Sequence, residues 1–471
     1  MSGNLWSDPP APPAPRIDWD AFKALIPGVA TLEEPALVKQ KSRDFYWYSP
    51  ILKKQLNKHF GDIVVLPKNE AEVIAIAAAC AKLRVPLTVR GAGTGNYGQA
   101  MPLAGGVVLD MMALDKIVAL KDGVLTVQPG MKLIDLENET LKQGWELRFH
   151  PSTRRTATIG GFISGGSSGI GSINYGILRD RGNVRRLRVV TVEESPRIVE
   201  LTGDDVQKVV HAYGTNGIVT ELDVGMARAR PWAERVVCFP DIMVATRFAQ
   251  ALCEADGIVK KLVSPIDWGA AQHFKPLRPM LVEGQAILIL MIAQTSREPV
   301  DDLVKEHGGT TVFDRDYDDG AEIPPLYEFT WNHTTLQVLK VDKNITYLQT
   351  LFPPPDHVNL VEKMWKEFGD EVPLHLEFVR LGGKVACFGL QVVRYTTPER
   401  LKEIIAIHEA NGCPIFDPHT FLLEDGGMKV VDEAQYEFKR EADPHGLLNV
   451  GKMRAWDERT PTLSRWADAK L

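Results

Sequence analysis

Glycines at alternate positions are the first residues here whose type and spacing could do chemistry. Between two apolar runs, residues 87–89 and 106–111, the chain reads Arg90-Gly91-Ala92-Gly93-Thr94-Gly95-Asn96-Tyr97-Gly98-Gln99. Such a loop can take positive φ and turn its N–H groups toward one anion, which makes it a candidate phosphate cradle. It is not the dinucleotide fingerprint, because a strand rather than a helix is expected to follow. It is not a P-loop either, since no Gly-Lys-Ser/Thr is present. A glycine-rich hairpin without a ligand is the structural alternative.

A second segment is small, polar and glycine-dense: Pro151-Ser152-Thr153-Arg154-Arg155-Thr156-Ala157-Thr158-Ile159-Gly160-Gly161, continuing through Ser164 and Gly165 to Gly176. A third reads Tyr213-Gly214-Thr215-Asn216-Gly217-Ile218-Val219, and a fourth Asp443-Pro444-His445-Gly446-Leu447-Leu448-Asn449-Val450-Gly451-Lys452. Together, in this order, they resemble the FAD-linked oxidases of the vanillyl-alcohol oxidase superfamily, with its PCMH-type FAD-binding domain. The resemblance covers about residues 50–230 and 410–455. In motifs it is nearest the branch of D-2-hydroxyacid dehydrogenases and glycolate oxidase flavin subunits.

The resemblance implies FAD. The loop from Arg90 through Gly91, Ala92, Gly93, Thr94, Gly95, Asn96, Tyr97 and Gln99 is expected to hold its pyrophosphate, with Thr94 and Asn96 adding donors. Arg90 either joins them or is structural. Pro151, Ser152, Thr158, Ile159, Gly160, Gly161, Ser164 and Gly165 are expected beside the isoalloxazine ring, where a side chain at Gly160 or Gly161 would clash. Gly217, Ile218 and Val219 are expected at the adenine, and Asn449 and Lys452 where the pocket closes. Relatives that attach FAD covalently use a histidine at the position of Thr94 or a cysteine in the second segment. Neither residue is present, so the flavin is expected to be non-covalent, with a histidine such as His419 as the remaining route.

The implied reaction is oxidation of a small hydroxylated substrate, an α-hydroxy acid or an alcohol, by hydride transfer to the flavin. The hydroxyl proton then needs a base. Two departures from the hydroxyacid branch bear on this. Its His-x-x-x-Asp-Gly-Asn-x-His pattern is replaced by His375-Leu376-Glu377-Phe378-Val379-Arg380, and its Gly-Glu-His-Gly by Glu424-Asp425-Gly426-Gly427. No metal is expected, and a phenol or aryl alcohol is a serious alternative substrate. A third is the non-redox chemistry of alkyl-dihydroxyacetone-phosphate synthase, which shares the fold. The catalytic candidates, in order, are Glu424, His333, His375 and Asn332. Asn332 and His333 read as neighbours on a strand, so only one of them would face a pocket. His375 and Glu377 share a face. His150 is a further polar candidate, although a satisfied core or surface residue is the commoner fate of any one histidine.

The elements that must position these residues form an α+β pattern. Residues 1–49 are an N-terminal arm, Pro-rich at its start, of which residues 1 to about 30 are either disordered or packed on a neighbour. Residues 50–233 carry the flavin motifs, with strand 62–67, helix 70–83 and strand 85–89 as a β-α-β unit. Residues 234–410 read as an α/β cap domain with an antiparallel sheet, and 411–471 as a segment returning to the flavin domain. At 471 residues the chain is longer than one core usually serves, so two domains are expected. A net charge of −7 argues against nucleic acid as a partner. Five scattered cysteines without a CxxC pair argue against a disulfide framework or zinc site. The N-terminus lacks a secretory signal and no apolar run spans a bilayer, so a cytoplasmic enzyme is expected. Its electron acceptor would be oxygen, a quinone or a cytochrome, with a homodimer as one arrangement.

Overall fold

The computed structural model describes Trp6 and residues 17–460; the Pro-rich start of the arm lies outside the described residues. A four-stranded sheet has the order Ala30–Leu32, Ile63–Leu66, Val107–Asp110, Leu87–Arg90. The last three are mutually parallel and buried, as apolar runs such as Ile63-Val64-Val65 require. The Glu70–Leu83 helix makes the crossover, its N-terminus capped by Asn69, which accepts from the Glu72 N–H. The arm is not detached from this sheet. Ala30–Leu32 pairs antiparallel with Ile63–Leu66, and Trp19–Leu25 is a helix that buries Phe22.

A six-stranded sheet follows, in which the long strand Ile218–Arg228 pairs with Val124–Val127, Trp145–Leu147 and Val184–Val190. A third sheet is wholly antiparallel, in the order Lys260–Ile266, Ala286–Ala293, Trp232–Phe239, Thr310–Asp316. Every residue of Ala286–Ala293 is buried because both faces are covered. Leu288 and Leu290 pack in the core that includes Phe248 of the Ile242–Glu254 helix, while Ile287 and Ile289 face the opposite core with Phe329 and Trp456. A smaller antiparallel sheet joins Thr350–Phe352, Lys384–Gly389 and Leu376–Leu381.

The C-terminal segment comes back against the first sheet. The Leu87 N–H donates to the Leu447 carbonyl at 2.8 Å, and the Asn449 N–H to the Leu87 carbonyl at 2.8 Å. No helix among the described residues is long and apolar enough to cross a membrane.

One local expectation is overturned. Asn332–Leu339 is a helix, not a strand. The β-branched pair Thr334 and Thr335 suggests extended chain, but the Thr334 hydroxyl donates to the Phe329 carbonyl at 2.6 Å and ties the helix to the turn before it.

Candidate functional site

One cavity, of about 430 Å³, is lined by all three glycine-rich segments and by residues of the antiparallel half. The 90–99 loop forms one wall. Among the described residues, the N–H groups of Ala92 through Asn96 donate to no acceptor within the chain. Five successive free donors in a cavity wall fit a phosphate group. Gly93 and Gly98 take φ of +69° and +71°, which glycine adopts without cost. Gly91 has no room for a Cβ, because Thr158 Oγ1 occupies that space.

Arg90 is structural rather than a ligand group. It lines the cavity, but its guanidinium donates to the carbonyls of Arg43 at 3.1 Å, Ala92 at 2.9 Å, Gly91 at 3.1 Å and Lys41, so it shapes the loop. Lys452 acts likewise: fully buried, it donates to the Gly98 carbonyl and is not a lining residue. Asn449 is also off the cavity. It accepts from the Val89 N–H at 3.2 Å and donates to the carbonyls of Gln99, at 3.2 Å, and Tyr213, tying two glycine segments together.

Thr158 caps the short Ile159–Gly165 helix by accepting from the Gly161 N–H at 3.2 Å. Gly161 is exposed to the cavity, and a Cβ there would meet only Thr158 Oγ1 at 3.0 Å. Gly160 differs: it also lines the cavity, but its Cβ would strike the Pro129 backbone at 2.9 Å, so its smallness serves packing. Pro151, Ser152, Ser164, Gly165, Gly217 and Val219 line the cavity, whereas Ile159 and Ile218 point into cores. The buried hydroxyls of Tyr97 and Tyr213, both lining residues, have no hydrogen-bond partner, which leaves them for a bound group.

The catalytic candidates separate. Glu424 does not line the cavity. Its carboxylate accepts from the N–H groups of Arg454 at 3.0 Å and Ala455 at 2.8 Å, capping the Arg454–Arg459 helix. His375 is also off the cavity. It is fully buried, with Nε2 2.8 Å from Glu377 Oε1, 3.2 Å from Ser264 Oγ and 3.3 Å from Thr334 Oγ1. Asn332 and His333 both line the cavity, because they sit in the first turn of a helix and not on opposite faces of a strand. Asn332 bridges the two walls: Nδ2 donates to Asn96 Oδ1 at 3.3 Å and Oδ1 accepts from Gln349 Nε2 at 3.2 Å. Burial lowers the His333 pKa to about 4, against a hydrogen bond to the Glu328 backbone that raises it, so the ring is neutral at pH 7.

His419 is buried away from the cavity, its ring engaged by Ser49 Oγ at 2.8 Å and the Tyr347 carbonyl at 3.0 Å. His150 is buried against Tyr327, and the nearby Arg154 adds to burial in holding its pKa low.

Trp331 is one of several lining residues, with Tyr48, His211, Gln349 and Phe388, that the sequence does not mark as site residues. Its φ of +51° and ψ of −142° lie close to a region that is essentially glycine's, at a cost of about 1–3 kcal/mol. No sequence signal marks it, since the carboxylate that holds its N–H belongs to Glu377, distant in sequence.

Three kinds of comparison show what the chain is similar to. Residues 61–200 match the family model described as FAD binding domain. Among curated proteins, the chain is 34% identical over 172 residues to glycolate oxidase subunit GlcD of Bacillus subtilis, covering 34% of this chain and 36% of that one. It is 29% identical over 239 residues to a mitochondrial D-lactate dehydrogenase (cytochrome) of Arabidopsis thaliana, covering 49% and 41%. The matches thus span about a third to half of those relatives' lengths. Among solved structures, an alkyldihydroxyacetonephosphate synthase superposes with a TM-score of 0.70 at 15% identity, over 95% of this chain and 88% of that one. That likeness is one of fold.

Proposed function

We propose that this chain, which carries an FAD binding domain consistent with the vanillyl-alcohol oxidase superfamily and takes FAD as its cofactor, oxidises the CH–OH group of a small substrate. The observation that carries this reading is the single cavity shared by three glycine-rich segments, Asn332 and His333. When bound, FAD supplies the hydride acceptor. The chain supplies the rest. The N–H groups of Ala92 to Asn96 hold the pyrophosphate, and Gly161 leaves room for the ring. Asn332, fixed between Asn96 and Gln349, orients the substrate oxygen. A ring nitrogen of His333 takes the hydroxyl proton. The flavin is held without a covalent bond.

The lining favours an uncharged alcohol over an α-hydroxy acid. Arg90 is spent on carbonyls. Arg179 pairs with Asp432 at 2.7 Å and donates to the carbonyls of Gln207 and Val210. Burial brings the pKa values of His211 and His333 down to about 4, so neither is cationic at pH 7. A buried carboxylate would therefore lack a counter-ion. The names of the relatives favour the α-hydroxy acid as the second reading.

The test is anaerobic mixing of the yellow holoprotein with benzyl alcohol, 4-hydroxybenzyl alcohol, glycolate and D-lactate. Bleaching of the flavin band by an alcohol is expected, slowed about 10²–10⁴-fold in His333→Ala. Bleaching by the acids alone would reverse the order of the two readings, and bleaching by none would leave the redox assignment without support.

A further inference from the structure

Trp331 combines three observations. It lines the cavity, its indole Nε1 is buried without a hydrogen-bond partner, and its backbone has a conformation that residues with a Cβ rarely adopt. The conformation is imposed from outside the loop. The Trp331 N–H donates to Glu377 Oε1 at 2.7 Å. That same oxygen lies 2.8 Å from His375 Nε2 and accepts from Ser264 Oγ at 3.1 Å. Glu377 and His375 are 1% and 0% exposed, so the anchor is rigid and closed to solvent. Backbone strain held by a buried polar anchor, in a lining residue whose donor is unpaired, is the arrangement expected of a pre-organised ligand contact.

We propose that Trp331 is a specificity-determining residue: its indole N–H donates to an uncharged oxygen of the substrate. Glu377, His375 and Ser264 are positioning residues that hold it there. The inference rests on reading this cavity as the flavin and substrate site. The residues Phe388, Phe416 and Leu351 also line the cavity. The ligand is thus an apolar or aromatic body bearing a hydroxyl or carbonyl oxygen, recognised by neutral donors.

Benzyl alcohol and toluene separate the donor from the packing, because both present the same ring and only one carries an oxygen. Each is titrated into holoprotein while the flavin spectrum is followed, for the native protein, Trp331→Phe, Glu377→Leu and Glu377→Gln. Trp331→Phe should weaken benzyl alcohol about three- to tenfold, the effect of one neutral hydrogen bond, and leave toluene unchanged. Glu377→Leu should reproduce that selective loss. Glu377→Gln should recover part of it, since its amide oxygen can still accept from the Trp331 N–H. Should Glu377→Leu not fold, Trp331→Phe decides alone. Equal losses for both probes, an unchanged benzyl alcohol affinity in Trp331→Phe, or no binding of benzyl alcohol to the native yellow protein would overturn the proposal. Native protein that cannot be loaded with FAD would overturn the reading of the site itself.

Discussion

Gly160 and Gly161 are adjacent, yet their replacement should fail in different ways. Gly161 faces the cavity, so Gly161→Leu should give a folded protein that no longer binds FAD. Gly160 abuts the Pro129 backbone, so Gly160→Leu should lose stability through overpacking, by about 1–3 kcal/mol or more. The ratio of flavin to protein absorbance and the urea midpoint report the two effects. A Gly161→Leu protein with normal flavin content would show that the ring lies elsewhere. Thr94 carries a related expectation. With no histidine at that position and His419 buried off the cavity, acid or heat should release the flavin from the polypeptide. Fluorescence that stays with the denatured protein band would refute non-covalent binding. The glycines were legible because no other residue type can do what the loop requires. Arg90 and Lys452 were not, because a cation beside a phosphate loop has the same sequence whether it faces the ligand or the loop's own carbonyls.

Among elements, the Arg454–Arg459 helix and the Asn332–Leu339 helix show what sequence order hides. Glu424 has the sequence position of a catalytic group, but both of its oxygens accept from the N-terminus of the first of these helices. Glu424→Gln would put an amide N–H₂ against a backbone N–H in a buried place. The expected result is about 1–3 kcal/mol lower stability with an unchanged rate of flavin reduction by whichever alcohol the holoprotein oxidises. Chemical denaturation and stopped-flow reduction measure the two quantities. A rate loss of 10²-fold with full stability would return Glu424 to the site. The helices and strands with unbroken apolar pattern were readable to within a few residues, as in Glu70–Leu83 and Ile242–Glu254. The Asn332 helix was not. Thr334 and Thr335 favour extended chain, and the contact that fixes the turn before the helix comes from Glu377, on a distant strand.

Across the whole molecule, burial of neutral histidines sets how folding responds to acid. The pKa of His211 and of His333 is brought down to about 4 and that of His419 to about 3, while His150 is held well below its ordinary value, in each case chiefly by burial. Their folded pKa values lie below the unfolded value of about 6.5, so the stability they allow is complete above pH 6.5 and is lost as pH falls toward 4. Two carboxyls act in the opposite sense. Burial raises Asp44 and Asp417 to about 6, so the folded state keeps protons there that the unfolded chain releases above about pH 4. Near pH 5, unfolding thus adds protons to these four imidazoles and removes them from the two carboxyls, a net uptake. Glu146, Glu234 and Asp267 shift with the aspartates, and His273, His357, His408 and His445 with the histidines, so these further groups leave the sign in place. Stability should therefore rise with pH between about 4 and 6.5, as the protons taken up by the imidazoles outnumber those released by the carboxyls. Urea midpoints taken at half-unit intervals, with FAD in excess so that cofactor loss does not add to the slope, measure it directly. A midpoint that stays level or climbs as the solution is acidified from pH 6.5 to 4.5 would mean that the carboxyls outweigh the histidines.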